Sequence, residues 1–216
     1  MICDKIICSV DPLELQGDLM ERASNIITGG GVVVFPTKCL YGIAVDPFND
    51  DAVNRVFEIK QRPRNNPILV LINERDELES LVKNVPETAL ILMESFWPGD
   101  VTIVFEAIHG LPGVLTAHTG KIGIRMSHHP VARALIERAG TPITGTSANI
   151  SGGEGISTIK NLNPDLMDRV DLILDAGQLK GGKGSTIVDI TNHRVRILRE
   201  GGISAFEINA VLAKNH

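Results

Sequence analysis

Three cations, Lys60, Arg62 and Arg64, fall within five residues in the stretch "KQRPRNNP" from Lys60 to Pro67. Cations at that density can hold a phosphate or carboxylate, or can sit at the negative end of a helix dipole. The preceding residues say where Lys60 points. Val53, Val56, Phe57 and Lys60 stand at i, i+3, i+4 and i+7, which is one stripe of a helix. Lys60 therefore ends the face that packs inward, where a lysine either snorkels past the core or meets an anion. Pro63 and Pro67 stiffen the turn that follows.

A second candidate is "GTSANISGG", residues 145–153. Thr146, Ser147 and Asn149 follow an apolar run, among glycines that let a ligand approach the backbone. A polar turn capped by asparagine has the same composition. Arg125 in "KIGIRM" and Arg199 in "RVRILRE" lie in strand-like segments. Each faces solvent on an alternating strand, or points inward and needs an anionic partner. "GQLKGGKGST" begins as a phosphate-binding loop does, with Gly177, four residues, Gly182 and Lys183. Gly184 stands where a Ser or Thr would hold magnesium, and "STIVDI" alternates like a strand rather than opening a helix. A P-loop is therefore rejected, while Ser185 and Thr186 stay as possible ligand contacts. The six histidines offer no His-x-x-x-His and the cysteines no Cys-x-x-Cys, so no structural metal site is expected. In "SHHP", Ser127 lies near a helix cap and both imidazoles are expected at the surface. Cys39 beside Lys38 lacks the partners of a nucleophilic cysteine.

The elements that must position these residues are legible in outline. Helices are expected over 18–28, 49–62, 74–83, 86–96 and "HPVARALIERAG", and a weak one at the end of the chain. Short apolar runs at 32–36, 68–72, 101–107 and 121–126 read as buried strands. "TPITGTSAN", "DLILDAG", "STIVDI" and "RVRILRE" supply more. Helices and strands interleave without a linker or repeat, so the expectation is one α/β domain over 1–216, a three-layer mixed sheet. The polar stretch 151–164 is expected to be a mobile flap.

Composition narrows the function classes. The chain has 216 residues, 43% hydrophobic and 22% charged, an ordinary globular balance. Net charge is −5, so a generally basic nucleic-acid-gripping face is not expected, and any anion site must be local. No apolar run is long enough to span a membrane, and the N-terminus lacks a signal-peptide core. Three cysteines argue against a disulfide framework. A cytoplasmic protein is expected.

Together "FPTKCLYGIAVD", "IKQRPRNNPILVLI", "FWPGDVTIVF", "IGIRMSHHPVARALI", "TSANISGG", "GSTIVD" and "ILREGGIS" occur in the order and spacing of a known family. The chain resembles the YrdC-like family, the threonylcarbamoyl-adenylate synthases, in a short form without an additional C-terminal domain. The resemblance implies a twisted mixed sheet around a large concave cavity. It also implies a nucleotidyl transfer, in which L-threonine, bicarbonate and ATP with Mg2+ give threonylcarbamoyl-AMP and pyrophosphate. That product feeds a tRNA modification, so tRNA or double-stranded RNA at the cavity mouth and tRNA-modification proteins are implied partners. The resemblance assigns ATP to Lys60, Arg62, Asn66, Lys121, Ser147, Asn149 and Arg199, with Lys60 and Arg62 at the reacting phosphates. It assigns the amino acid to Thr37, Cys39, Leu71, Arg125, Gly145 and Ser185. The family usually has an acid and a threonine where this chain has Lys38 and Cys39, and a histidine where it has Leu71. The YciO-like branch departs similarly, which leaves a non-catalytic or weakly catalytic RNA- or nucleotide-binding protein as the alternative.

Overall fold

The computed structural model describes residues 6–192 and 194–214. In chain order, β1 (Ile7–Ser9), α1 (Gly17–Thr28), β2 (Val33–Pro36), β3 (Tyr41–Ala44) and α2 (Asp50–Ile59) come first. Next are β4 (Val70–Ile72), a 3-10 helix (Arg75–Ser80), α3 (Glu87–Phe96), β5 (Val101–Glu106), β6 (Lys121–Met126) and α4 (Pro130–Ala139). The chain continues through β7 (Ile143–Thr144), β8 (Thr146–Ser147), a 3-10 turn (Ile159–Asn161), α5 (Pro164–Met167) and β9 (Leu172–Asp175). It ends with β10 (Thr186–Asp189), β11 (Arg196–Arg199) and α6 (Ala205–Lys214).

The mixed α/β class holds, but hydrogen bonding divides the strands between two sheets. One has the order β1-β9-β2-β3-β8 and the other β11-β10-β5-β6-β4-β7. Both mix parallel and antiparallel pairs. The segment expected as one short strand, "TPITGTSAN", makes the crossing. Ile143 and Thr144 pair with β4, and Thr146 and Ser147 pair with β3. Gly145 stands between them and donates its N–H to the Leu69 carbonyl at 2.9 Å. A Cβ there would lie 2.7 Å from Leu71 Cγ and 2.9 Å from Leu69 Cδ1, so the close approach needs glycine. Thr144 ties the sheets, since its Oγ1 accepts from the Val45 N–H at 3.0 Å while its own N–H reaches the Val45 carbonyl.

The continuous apolar runs are covered on both faces, as such runs require. In β2, Val33 and Phe35 join one core cluster and Val34 the other. Helices α1 and α4 close the first cluster through Met20, Ala23, Ile27, Val131 and Leu135. Helix α2 closes the second with Val53, Val56 and Phe57, the predicted stripe. Truncating a fully buried aromatic such as Phe35 costs about 3–5 kcal/mol. The segment expected as a helix over 74–83 forms a 3-10 helix, and α2 stops at Ile59 rather than 62.

Candidate active site

Helix α2 ends by a turn that sends its three trailing cations in different directions. Gln61 adopts φ 49°, the left-handed region, where a side chain costs about 1–2 kcal/mol relative to glycine. The Gln61 N–H bonds the Glu58 carbonyl and the Arg62 N–H bonds the Phe57 carbonyl at 2.8 Å, which closes the helix end. Arg64 turns back over the Phe57 ring, 5.2 Å from its centroid, and donates to Asn54. Arg62 is fixed by Nε to the Asn66 carbonyl (2.9 Å) and Nη2 to the Pro67 carbonyl (2.8 Å). Its remaining N–H groups are free to meet a ligand, and the residue lines a cavity of about 350 Å3.

Both sheets contribute to that cavity. Thr37, Lys38 and Cys39 come from the β2–β3 link, Asp100 from the start of β5, and Arg125 from the middle of β6. Gly145 and Ser147 come from the sheet crossing, Lys183 and Ser185 from the approach to β10, and Arg199 from the end of β11. Arg125 lies on the less covered face of the alternating β6, and that face looks into the cavity rather than to bulk solvent. Its Nε is buried and has no hydrogen-bond partner among the described residues. Burial lowers the proton affinity of Arg125, and Asp100 partly offsets it. Arg199 donates through Nε and Nη2 to the Ser185 carbonyl at 3.2 and 2.7 Å, while Ser185 Oγ lies 2.7 Å from Thr102 Oγ1. Burial also lowers Arg62 and Arg199, and for Arg62 the nearby Arg199 adds to it. The lining side chains include five cations (Lys38, Arg62, Arg125, Lys183 and Arg199) and one carboxylate, Asp100. Guanidinium groups crowded in this way, in a protein of net charge −5, form a local anion site.

The structure therefore brings Arg62, Arg125, Ser147, Ser185, Arg199, Thr37, Cys39 and Gly145 to one cavity. Five other candidates are not on its wall. Lys60 is 1% exposed, and its Nζ donates to the main-chain carbonyls of Ser147 and, at 2.7 Å, Asn149. Burial, then the charge of Arg62, brings its pKa down to about 7. Asn149 is taken up within its own turn, where Nδ2 donates to the carbonyls of Ile150 and Gly153 and Oδ1 accepts from Ser147 Oγ. Lys60 and Asn149 thus shape the turn that presents Ser147. Asn66 is exposed and supplies its carbonyl to Arg62. Lys121 pairs with Asp189 at 3.1 Å. Leu71 is fully buried in the cluster beneath α1 and α4, and Leu69, two residues earlier, lines the cavity instead.

Sequence reasoning missed Asp100, Lys183 and Leu69 as wall residues. Lys183 carried a signal in the glycine-rich stretch rejected as a P-loop, and that rejection stands because β10, not a helix, follows. Asp100 carried none, since its partner Lys38 is 62 residues away in sequence. The stretch 151–164 is less free than expected. Ile159 and Leu162 are buried in the core, and the Ile156 carbonyl accepts from Tyr41 N–H at 2.9 Å, so 152–154 is the exposed part of the segment before Ile159. His129 is half-buried rather than exposed. Burial, then His128 and Arg125, lowers its pKa to about 4. Among the described cysteines Cys39 is free. Among the described residues no cluster of His, Cys, Asp or Glu is placed to hold a metal, and no helix is long and apolar enough to cross a membrane.

A mixed α/β fold whose two sheets enclose a guanidinium-lined cavity defines the class, and comparison with known proteins supplies the family. The chain belongs to the Sua5_yciO_yrdC family, whose model, described as "Telomere recombination", matches residues 25–201. It is 35% identical over 192 residues to the threonylcarbamoyl-AMP synthase of Pyrococcus abyssi, covering 89% of this chain and 56% of that protein. The P. abyssi Sua5 crystal structure complexed with L-threonine superposes with a TM-score of 0.91 at 34% identity, over 96% of this chain and 61% of that one. E. coli YciO superposes with a TM-score of 0.84 at 28% identity, over 94% of this chain and 98% of that one. The chain thus spans little more than half the length of the P. abyssi relative.

Proposed function

We propose that this protein is a threonylcarbamoyl-AMP synthase, a nucleotidyltransferase acting on ATP, bicarbonate and L-threonine. The observation that carries the reading is Arg125, a half-buried arginine whose Nε is buried and unsatisfied, in a cavity shared with Arg62, Lys183 and Arg199. A half-buried cation of this kind is costly without an anion, and the α-carboxylate of an amino acid supplies one. Arg62, Arg199 and Lys183 then receive the triphosphate, arginine as a bidentate fork and lysine as a point charge. Mg2+ enters on the phosphate oxygens, as it does with most nucleotides.

The amine of threonine adds to bicarbonate, and loss of water leaves an N-carboxylate. One oxygen of that carboxylate attacks the α-phosphorus of ATP, and pyrophosphate departs with the electron pair of the broken P–O bond. Charge grows on the phosphate oxygens during this step, and fixed guanidinium groups stabilise it without reorganising. Ser147, held by the turn that Lys60 and Asn149 shape, and Ser185, held by Thr102, add directional hydrogen bonds. The product is an activated carbamoyl donor for tRNA modification, so tRNA and modification proteins are its downstream partners, in the cytoplasm.

Mass spectrometry of the product formed with isotopically labelled bicarbonate tests the assignment. Threonylcarbamoyl-AMP carrying the label is the expected result. RNA binding that weakens steeply with salt, with no adenylate formed, would favour the non-catalytic alternative.

A further inference from the structure

We propose that Asp100 is the carboxylate that receives the amine of the amino-acid substrate, and that Lys38 is a resident cation which that amine displaces. The inference rests on the amino-acid-binding part of the function proposed above and adds two residues that set its affinity.

Lys38 and Asp100 are in contact at 2.5 Å on the cavity wall, with Arg125 and Cys39 beside them. The two partners differ in freedom. The Lys38 side chain is 42% exposed, and an ion pair with so exposed a partner is weak, so the ammonium can leave for water. The Asp100 side chain is 18% exposed and cannot follow. Its segment is pinned on both sides, by the Gly99 N–H to the Met126 carbonyl at 3.0 Å and by the Thr186 N–H to the Asp100 carbonyl at 2.9 Å. The fixed member of the pair is therefore the anion.

An α-amino acid carries its two charges on neighbouring atoms. Arg125 offers an unsatisfied cation for the carboxylate, and Asp100 is the one carboxylate among the residues lining the cavity. The charge of Asp100 is already felt at Arg125, so the two form adjacent poles of opposite sign. An ammonium arriving on Asp100 replaces the Lys38 ammonium like for like. The resemblance implies an acid at position 38, where this chain has lysine. Here the acid stands across the wall at position 100.

Calorimetry in the presence of ATP, with L-threonine and with β-hydroxybutyrate, which keeps the carboxylate and hydroxyl but lacks the amine, tests the inference. Asp100→Asn is expected to weaken threonine by about 10- to 100-fold, the loss of one charge-assisted hydrogen bond, without weakening β-hydroxybutyrate. Lys38→Met is expected to tighten threonine about two- to fivefold, and less than that when combined with Asp100→Asn. ATP binding reports that each variant is folded. Equal weakening of both ligands by Asp100→Asn would make the pair merely structural and overturn the inference. So would unchanged threonine binding, or no threonine binding to the unaltered protein. Threonine that binds as described but yields no adenylate would instead refute the proposed reaction and leave Asp100 in its role.

Discussion

Replacing Lys60 with methionine separates two ways in which a lysine can serve an anion site. In the structure Lys60 does not line the cavity, and its ammonium is hydrogen-bonded to the carbonyls of Ser147 and Asn149. Methionine keeps an unbranched stem of similar length and removes both donors. The Asn149 carbonyl is left without a partner, which costs about 1–3 kcal/mol, while the Ser147 carbonyl keeps the Asn149 N–H at 3.0 Å and loses only its charged donor. The sum is about 2 kcal/mol, or about 4–8 °C in Tm for a chain of this size. Because the same turn presents Ser147, nucleotide affinity and turnover should fall with stability. Thermal unfolding and ATP titration of Lys60→Met measure the two effects together. A variant with unaltered Tm and abolished turnover would refute the reasoning, since the lysine would then act on substrate and not through the turn. The sign of the pH effect follows from the same burial. The folded pKa of about 7 lies below the ordinary lysine value of 10.5, so the unfolded chain binds the extra proton. Stability of the unaltered protein should rise between about pH 7 and 10 relative to Lys60→Met.

Arg62→Ala should raise the KM for ATP by about 10-fold or more with a Tm shift of only a few degrees, because its guanidinium faces the cavity and bonds only neighbouring carbonyls; steady-state kinetics with melting curves decide it. Cys39→Thr alone should lower the KM for threonine, since Cys39 lines the cavity. Leu71→His should cost about 2–5 kcal/mol of stability instead, because it buries an imidazole among apolar side chains, and urea unfolding reads it. Hydrogen exchange should show residues 152–154 gaining protection with ATP while Ile159 and Leu162 are protected throughout. Asp189 has its pKa lowered although burial pushes it up, because Thr191 and Lys121 bond it. The stability it adds is present above 3.8 and lost as pH falls below that, so Asp189→Asn should flatten the acid limb of the stability curve.

What the sequence made legible was set by period and by charge. The stripe Val53, Val56, Phe57 predicted the buried face of α2, and β6 formed over 121–126 as read. Strand β3, "YGIA", escaped because a glycine and a short length blur its signal, and β1 is three residues long. The division into two sheets depends on a single glycine between two-residue strands, a tertiary pairing that no local pattern announces. Arg125 and Arg199 could equally have faced solvent on alternating strands, and it was the family resemblance that drew them and Arg62 together, onto what the structure shows as one cavity wall. For Lys60 the helical stripe gave the direction but not the distance from the cavity, and its ammonium meets carbonyls 87 and 89 residues away. Asp100 was invisible for the same reason, being a long-range partner in a turn of unremarkable composition.

The central claim is that this cavity joins ATP to a carbamate made from an amino acid and bicarbonate. Exchange of labelled pyrophosphate into ATP reads that joining directly. Exchange that requires both threonine and bicarbonate and is abolished by Arg125→Ala, with ATP binding intact, is the predicted result. Exchange without bicarbonate, or undiminished exchange in Arg125→Ala, would contradict it.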